Sequence, residues 1–426
     1  MKIFRDPIHG DIFASDSDIQ LIDTVPIQRL RGIAQLGTVQ WVFPGASYNR
    51  FEHIIGVLHV TKRIARSLFE TPDYRELVNR LSAAAIFHDA GHPPFSHTLE
   101  EFGVITKKHE EVSAKIAKET IEGKSGIGIS GKEVADIIRR KSKPRSLSGI
   151  IAGTLDADRL DYLNRDAHHT GVSYGVIDSR IMSLFDQVED ELTIDERAIV
   201  PAETVLFARY VMRAIVYDHS KARAIGGMIS KAVEYAMGRG DVNNTDLLSE
   251  NSIFNMNDSQ LMSALSNYKY SKQIVANIQL RNTPKLAGFA KRSDVEKEAE
   301  AYNAATKMTA EQRQETEDKI ARKLGVPPYL VILDIPNTAR YVVKEADIPI
   351  SSGRQIVGKL RDTAISRLAD PIVRQHEFLW AVRLYCPRGK EKQARDEFEK
   401  ITKIQLAVRK PPLLKTDFWR LRNIFE

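Results

Sequence analysis

The constraint that weighs most on this chain is a period. Across roughly its first 290 residues, apolar side chains recur three and four positions apart between glycines and polar turns, and that spacing lays one face of a helix against a core. The run IQRLRGIAQL, residues 27–36, keeps the period until Gly37 stops it. Residues 50–70, RFEHIIGVLHVTKRIARSLFE, keep it again. So do residues 77–92, LVNRLSAAAIFHDAGH, whose small central residues suit close helix packing. Residues 109–122 and 200–239 repeat the pattern, and a Gly/Ser-rich loop occupies residues 123–131. His53 and the pair His88 and Asp89 are therefore predicted to ride on helices, the latter on one that ends at Gly91.

The period fails from residue 291 to 323, where KRSDVEKEAEAYNAATKMTAEQRQETEDKIARK has almost no large apolar residues and reads as an exposed helix or linker. Beyond it YLVILDI, RYVVKE and FLWAVRLYC are rich in β-branched and aromatic residues, and the last precedes a helical KEKQARDEFEKI. The expected fold class is mainly α: a helical domain over residues 1–290, a charged helical linker over 291–325, and a C-terminal α+β region over 326–426 concerned with assembly or regulation.

At 426 residues, 42% hydrophobic and 28% charged, the chain lies in the globular range and far from the composition of disorder. No apolar stretch approaches the length of a bilayer crossing and the opening MKIFRDPIHG has no hydrophobic signal core, so a cytoplasmic protein without a membrane partner is expected. One cysteine, Cys386, excludes a disulfide framework and any multi-thiolate zinc site. The 62 Lys+Arg against 56 Asp+Glu give +6, which suits an anionic partner without choosing among nucleotide, nucleic acid and membrane surface.

Histidine placement is more informative, since ten of the 11 fall between His9 and His219 and three crowd into residues 88–97. His88 and Asp89 can close around one ion, and His53 with a downstream carboxylate in DADRLD can complete a His-His-Asp-Asp set. Such nitrogen and oxygen ligation suits a divalent iron, manganese, zinc or magnesium ion and leaves positions open for water. GHPPFSH then places His92 and His97 on a Pro-constrained turn, followed by Glu100 and by the pair His109 and Glu110. A carboxylate beside an imidazole raises its pKa and fixes its tautomer, as a general acid near neutral pH requires. GIGISGKE, residues 126–133, almost spells a phosphate-binding loop, but Glu133 stands where Ser or Thr would meet magnesium and no strand precedes it.

Together the ordered blocks DPIHG, QRLRGIAQLG, FPGASYNRFEHIIG, IFHDAGHPPFSH, HEE and DADRLDYLNRDAHHTG resemble the HD-domain deoxynucleoside triphosphate triphosphohydrolases, a family that includes the vertebrate SAM-and-HD-domain enzyme and bacterial dGTPase-like relatives. The resemblance spans residues 1–290 and implies a helical HD metal-phosphohydrolase core. It implies that His53, His88, Asp89 and Asp158 hold the metal, and that His92, His97, His109 and Glu110 surround the scissile α-phosphate with Glu100 orienting His97. Glu100 stands where some relatives have Asp. The implied reaction is attack of water on the α-phosphorus, giving a deoxynucleoside and inorganic triphosphate, with His97 donating a proton to the departing 5′ oxygen. Arg50, Arg159, Arg209 and Lys221 become candidates for a triphosphate clamp, because guanidinium groups bind phosphate bidentately. Gln35 and Asp166 match positions that bond the 3′-hydroxyl, and Tyr162 and Tyr217 match those that line the sugar. Arg213 and Asp218 differ from the vertebrate enzyme, so base preference does not carry over.

The same resemblance implies an activator site for GTP or dGTP, with Asp23, Gln28 and Arg31 reading guanine and Arg281 and Lys285 gripping phosphates, and hence a homo-oligomer, dimer or tetramer. Arg5, Asp186 and Ala202 depart from that site's pattern. The competing expectations are phosphohydrolysis of another nucleotide or phosphate ester and, less favoured, a nucleic-acid-binding module using the same basic surface.

Overall fold

The computed structural model describes residues 1–69, 74–124, 126–239, 248–291, 296–335, 346–377 and 379–408. RYVVKE, residues 340–345, lies outside the described residues. The chain divides into two compact units: Met1–Thr283 with Pro336–Trp380, and Pro284–Ile335 with Ala381–Glu426.

In the first unit the helix Arg50–Leu68 is the central strut. Asn49 caps it by accepting from the Glu52 amide, and twelve of its residues are buried, from Arg50 through Ala65. It packs against the helices Tyr74–Phe87 and Ala157–Thr170, the second opened by the Asp156 side chain on the Arg159 amide and closed by Gly171 at φ 71°. His109–Glu122, Gly131–Ile138 and Arg145–Ala152 extend the bundle, and Ile199–Met212 and Ser220–Ala236 follow. These last two are separated by a π-turn over Arg213–Tyr217, a break in an otherwise helical stretch of the kind that often marks a functional site. The mainly helical core and the smaller mixed region match the expected fold class.

Two details move functional residues. The helix expected over residues 27–36 ends at Arg29, with one 3-10 turn over Leu30–Gly32. Residues 33–36 leave the helix instead, Ile33 and Ala34 extended and Gln35 and Leu36 in a turn, because their backbone pairs with the segment at the start of the central helix: Gln35 N to Tyr48 O at 3.1 Å and Arg50 N to Ile33 O at 2.9 Å. Gln35 is thereby carried on a turn tied to Tyr48. Similarly the helix bearing the HD pair stops at Phe87, and His88 to Gly91 form a turn.

The first unit also contains sheets that the helical period does not announce. Lys2–Asp6 and Gly10–Ala14 form an antiparallel hairpin with Asp6 opposite Gly10. A four-stranded sheet runs in the order Phe185–Val188, Glu191–Asp195, Pro349–Ser352, Gln355–Lys359. Its central pair is parallel, Ile194 beside Ile350. Residues 346–377 thus join this unit, and Ile348, Ile350, Leu360 and Val373 enter the same buried cluster as the helices.

The second unit is α+β. Its antiparallel sheet has the order Lys285–Lys291, Ala381–Cys386, Ile332–Asp334. The polar segment after residue 291 forms the helices Glu296–Thr306 and Ala310–Leu324. The second of these is anchored by Ile320, Ala321 and Leu324 and by buried Glu317, which accepts from the Leu333 amide at 2.9 Å. Glu391–Thr402 completes the unit, as expected from KEKQARDEFEKI. Among the described residues no helix is long and apolar enough to cross a membrane.

Candidate active site

Three helices deliver one polar cluster. His53 comes from the central helix, His88 and Asp89 from the turn after Phe87, and Asp158 from the first turn of Ala157–Thr170. One ligand atom each from His53, His88 and Asp89 lie within 4.8 Å of one another. Asp158 Oδ1 stands 3.0 Å from His53 Nε2 and 4.0 Å from His88 Nε2. Both of these Nε2 atoms are buried and make no hydrogen bond. Buried polar nitrogens are almost always satisfied, so two of them converging with two carboxylates describe ligands around a common point. The set is capable of holding a divalent metal ion with nitrogen and oxygen donors.

Each ring is fixed from behind. His53 Nδ1 bonds Asp161 Oδ2 at 2.8 Å and His88 Nδ1 bonds Ala85 O at 2.7 Å, which turns Nε2 toward the cluster. Asp161 is held in turn by Arg165, Nε to Oδ2 at 3.0 Å and NH2 to Oδ1 at 2.9 Å, and by His9 at 2.7 Å. Arg165 NH1 reaches Asp6 Oδ2 at 2.8 Å, so the hairpin turn in DPIHG closes the network. Arg165 and Asp161 are fully buried. This packing requires a glycine on the facing helix: a Cβ on Gly56 would lie 1.9 Å from Asp161 Oδ1 and 2.4 Å from Arg165 NH2.

Arg50 is buried and donates to Asp89 Oδ2, with its Nε on Ser96 Oγ at 2.9 Å. Although it lines the cavity, its guanidinium is committed to orienting a metal-site carboxylate. Burial opposes the charge on Asp89, but Arg50 and the neighbouring His88 and His92 outweigh it and hold the carboxyl well below its ordinary pKa.

Beside this cluster stand His92, His97 and His109. His92 and His109 are stacked at 3.8 Å between centroids, and His97 meets them edge-on at 4.7 and 5.1 Å. The expected Glu100 contact is made despite the longer side chain: Oε2 lies 3.3 Å from His97 Nδ1, and Oε1 lies 3.1 Å from His109 Nδ1. Burial opposes ionisation of Glu100, but these bonds outweigh it and hold the carboxylate below its usual range. For His109 burial likewise opposes the charge, and Glu100 prevails to raise its pKa. His92 goes the other way: burial, Arg50 and His109 all disfavour its cation. The trio thus contains imidazoles in opposite electrostatic settings, one favouring a proton and one rejecting it. Glu110 Oε2 is 3.6 Å from His109 Nδ1 at the rim.

The turn carrying His97 is unusual, with Phe95 and Ser96 at φ 58° and 57°. It is held from outside the motif blocks, by Asp258 on the Phe95 amide at 2.7 Å and on the Ala34 amide at 2.9 Å. Arg29 secures the preceding loop through the carbonyls of Ala90 and His92, each at 2.8 Å.

Both clusters open onto one cavity of about 650 Å³. Gln35, Arg50, Arg159, Tyr162, Asp166, Arg209 and Tyr217 all line it, and so do Lys108, Arg140, Arg213 and Arg223. Lys221 is not among the lining residues. Gln35 Oε1 is buried there without a partner. Asp166 accepts from Tyr217 at 2.5 Å and from Tyr48, which stacks on His169 at 4.5 Å between centroids. Burial raises the Asp166 carboxyl to about 7 against the pull of the two tyrosine hydroxyls.

The residues expected in an activator site lie elsewhere. Gln28 accepts from Arg31 Nε at 2.8 Å, the Arg31 guanidinium sits 3.6 Å over the Phe51 ring, and Asp23 faces Lys2 at 3.7 Å. Arg281 falls in the first unit and Lys285 in the second.

Sequence reasoning did not single out Asp6, His9, Tyr48, Ser96, Asp161 or Arg165 as supports, nor Arg29 and Asp258. For Asp161 and Arg165 a signal was present, because the i, i+4 spacing of oppositely charged residues on a helix beside Asp158 points both to one face.

Residues 50–166 match the HD domain family, and residues 177–411 match the family described as HD associated region, which takes in more than half of the chain. An uncharacterized protein of Methanocaldococcus jannaschii is 29% identical over 406 residues, covering 93% of this chain and 81% of that protein. The deoxynucleoside triphosphate triphosphohydrolase SAMHD1 homolog of Dictyostelium discoideum is 30% identical over 303 residues, covering 66% of this chain. The alignment spans 59% of the amoebal protein. Among solved structures, a phosphohydrolase from Bacteroides thetaiotaomicron superposes with a TM-score of 0.71 over 91% of this chain and 100% of that one, at 24% identity. At that identity the likeness is one of fold.

Proposed function

Because this chain belongs to the HD-domain proteins that carry the HD associated region, we propose that it is a metal-dependent phosphohydrolase of deoxynucleoside triphosphates, releasing a deoxynucleoside and inorganic triphosphate. The observation that carries this reading is the sharing of one cavity by the His/Asp metal cluster, the His92, His97 and His109 trio, and a wall bearing Gln35, Asp166 and Tyr217.

His53, His88, Asp89 and Asp158 would hold the ion, which when bound supplies Lewis acidity that eases deprotonation of the attacking water and offsets phosphoryl charge. The remaining work belongs to side chains. His97, half-exposed to the cavity and steadied by Glu100, gives its proton to the departing 5′ oxygen. His92 and His109 stabilise the transferring phosphoryl group, His109 as a cation backed by Glu100 and Glu110. Arg159 and Arg209 bind the outer phosphates. Gln35 offers its unpaired buried oxygen to the 3′-hydroxyl beside Asp166. Guanine-nucleotide activation through Asp23, Gln28, Arg31, Arg281 and Lys285, in a homo-oligomer, is part of the same reading.

The deciding experiment incubates the metal-loaded protein with each dNTP, with and without GTP or dGTP, and identifies the products. Triphosphate with nucleoside supports the reading. Orthophosphate or pyrophosphate moves it to another phosphoester hydrolase, and salt-sensitive nucleic-acid binding without turnover moves it to a binding module.

Sugar selectivity tests the cavity wall. Tyr217, fixed by its bond to Asp166, is proposed to pack against C2′, where a 2′-hydroxyl would overpack it by about 1–3 kcal/mol. That corresponds to roughly 5- to 150-fold preference for deoxy substrates in kcat/KM. Tyr217→Ala is expected to narrow the ratio by admitting ribonucleotides, while Gln35→Ala lowers both rates and leaves it unchanged. Unaltered discrimination in the Tyr217 variant would remove the gauge.

A further inference from the structure

The turn that presents His97 and the segment that presents Gln35 are far apart in sequence, and one side chain reaches both. Asp258, the first residue of the helix Asp258–Leu265, accepts from the Phe95 amide through Oδ1 at 2.7 Å and from the Ala34 amide through Oδ2 at 2.9 Å. Phe95 stands two positions before His97, and Ala34 one before Gln35. We propose that Asp258 is a positioning residue of this enzyme, which sets His97 and Gln35 in register with each other across the cavity. This role rests on the reading of His97 as proton donor and of Gln35 as partner of the 3′-hydroxyl.

Three features tie the carboxylate to the cavity and not to its own helix. Capping there is done by its neighbours: Asn257 accepts from the Gln260 amide at 2.9 Å, and the Gln260 side chain accepts from the Asn257 amide at 2.8 Å. The turn that Asp258 secures needs an outside support, since Phe95 and Ser96 lie at φ 58° and 57°, a region that residues with side chains keep only where their surroundings fix it. The two segments are also joined to each other and to the metal cluster. Ser96 Oγ donates to Ala34 O at 2.6 Å and accepts from Arg50 Nε at 2.9 Å, and Arg50 bonds Asp89. Packing between them is close, as a Cβ on Gly37 would lie 2.7 Å from Phe95 O. Arg29 fixes the approach to Asp258, its NH1 on Met256 O at 2.7 Å, and a Cβ on Gly32 would lie 2.8 Å from Asn257 Nδ2.

The His97 side chain is half-exposed, so the turn beneath it does much to place the ring. Proton transfer to the departing oxygen needs that ring within hydrogen-bond reach of a substrate that Gln35 helps to hold. A misplacement of about 1 Å between such groups costs about 10²-fold in rate. Asp258 itself is not among the cavity-lining residues, and its loss should therefore separate rate from metal binding.

Asp258→Ala should keep the bound metal, lower kcat about 10²-fold with a smaller change in KM, and narrow the preference for a dNTP over its 2′,3′-dideoxy counterpart. Asp258→Asn keeps one acceptor oxygen and should lose less; it carries the test if the alanine variant does not fold. In a His97→Ala background, adding Asp258→Ala should lower kcat by no more than about twofold, because both changes act on one proton transfer. With histidine labelled selectively with ¹⁵N, the His97 ring signals, assigned by their absence in His97→Ala, should move in the Asp258 variants. Losses that multiply in the double variant, or His97 signals that stay in place, overturn the role. An unchanged dideoxy ratio removes Gln35 from it. A protein that hydrolyses no nucleotide refutes the proposed function, and the His97 signals still decide whether Asp258 places that ring.

Discussion

Replacing His53 or Asp158 by alanine is expected to strip the metal and reduce turnover to background together. His53 is buried with its Nε2 turned into the cluster by Asp161, so removal takes away a ligand that no neighbour can replace. Asp158 is the one cluster member partly open to the cavity, its side chain 35% exposed, and its loss should be felt in metal binding with little effect on folding. His97→Ala should behave differently, keeping the metal while losing about 10²–10⁴-fold in rate, the usual contribution of a general acid. Elemental analysis of the purified variants beside single-turnover rates separates the outcomes. Full metal content in both ligand variants would sink the ligand assignment, and loss of the metal from His97→Ala would move His97 into it.

The second large effect is expected behind the site. Arg165→Met leaves Asp161 and Asp6 buried without their shared cation, a change that typically costs about 3–5 kcal/mol. Urea unfolding should register it as a lower midpoint, and Tm should fall by about 2–4 °C for each kcal/mol. Asp161→Asn keeps the shape and leaves Arg165 its bond to Asp6; it should weaken metal binding about 10- to 100-fold at a smaller loss of stability. A variant at Arg165 with wild-type stability would mean that water, not the guanidinium, compensates these carboxylates.

The helices were legible because their signal is local, and the four proposed metal ligands because ordered motif blocks resemble a known family. Apolar spacing marks residues 50–70 wherever they end up, whereas the adjacent pair His88 and Asp89 is by itself a weak signal and gained its meaning from the histidines and ordered blocks around it. Long-range pairing left no such mark. Asp161 meets His9 across 152 positions, and Ile194 meets Ile350 in parallel across a connection that no turn signal announces. The course of residues 33–36, extended at Ile33 and Ala34 and turning at Gln35 and Leu36, was misread as helix because their apolar residues fit both periods, and tertiary pairing with residues 48–50 decided the matter. Likewise the polar run after residue 291 reads as exposed because its buried apolar residues, Tyr302, Ala305, Ile320 and Ala321, are few and widely spaced.

Gly56 sets a limit on how this protein can change. A glycine in the middle of a helix costs about 0.5–1 kcal/mol relative to alanine, and replacing it is among the first steps taken to make a protein more heat-resistant. At this position that route is shut, since the hydrogen in place of a methyl group is what lets the Asp161 and Arg165 pair approach the helix that carries His53. Any lineage that keeps the pair must keep the weak helical residue one turn from the histidine, and robustness has to be acquired elsewhere along the chain.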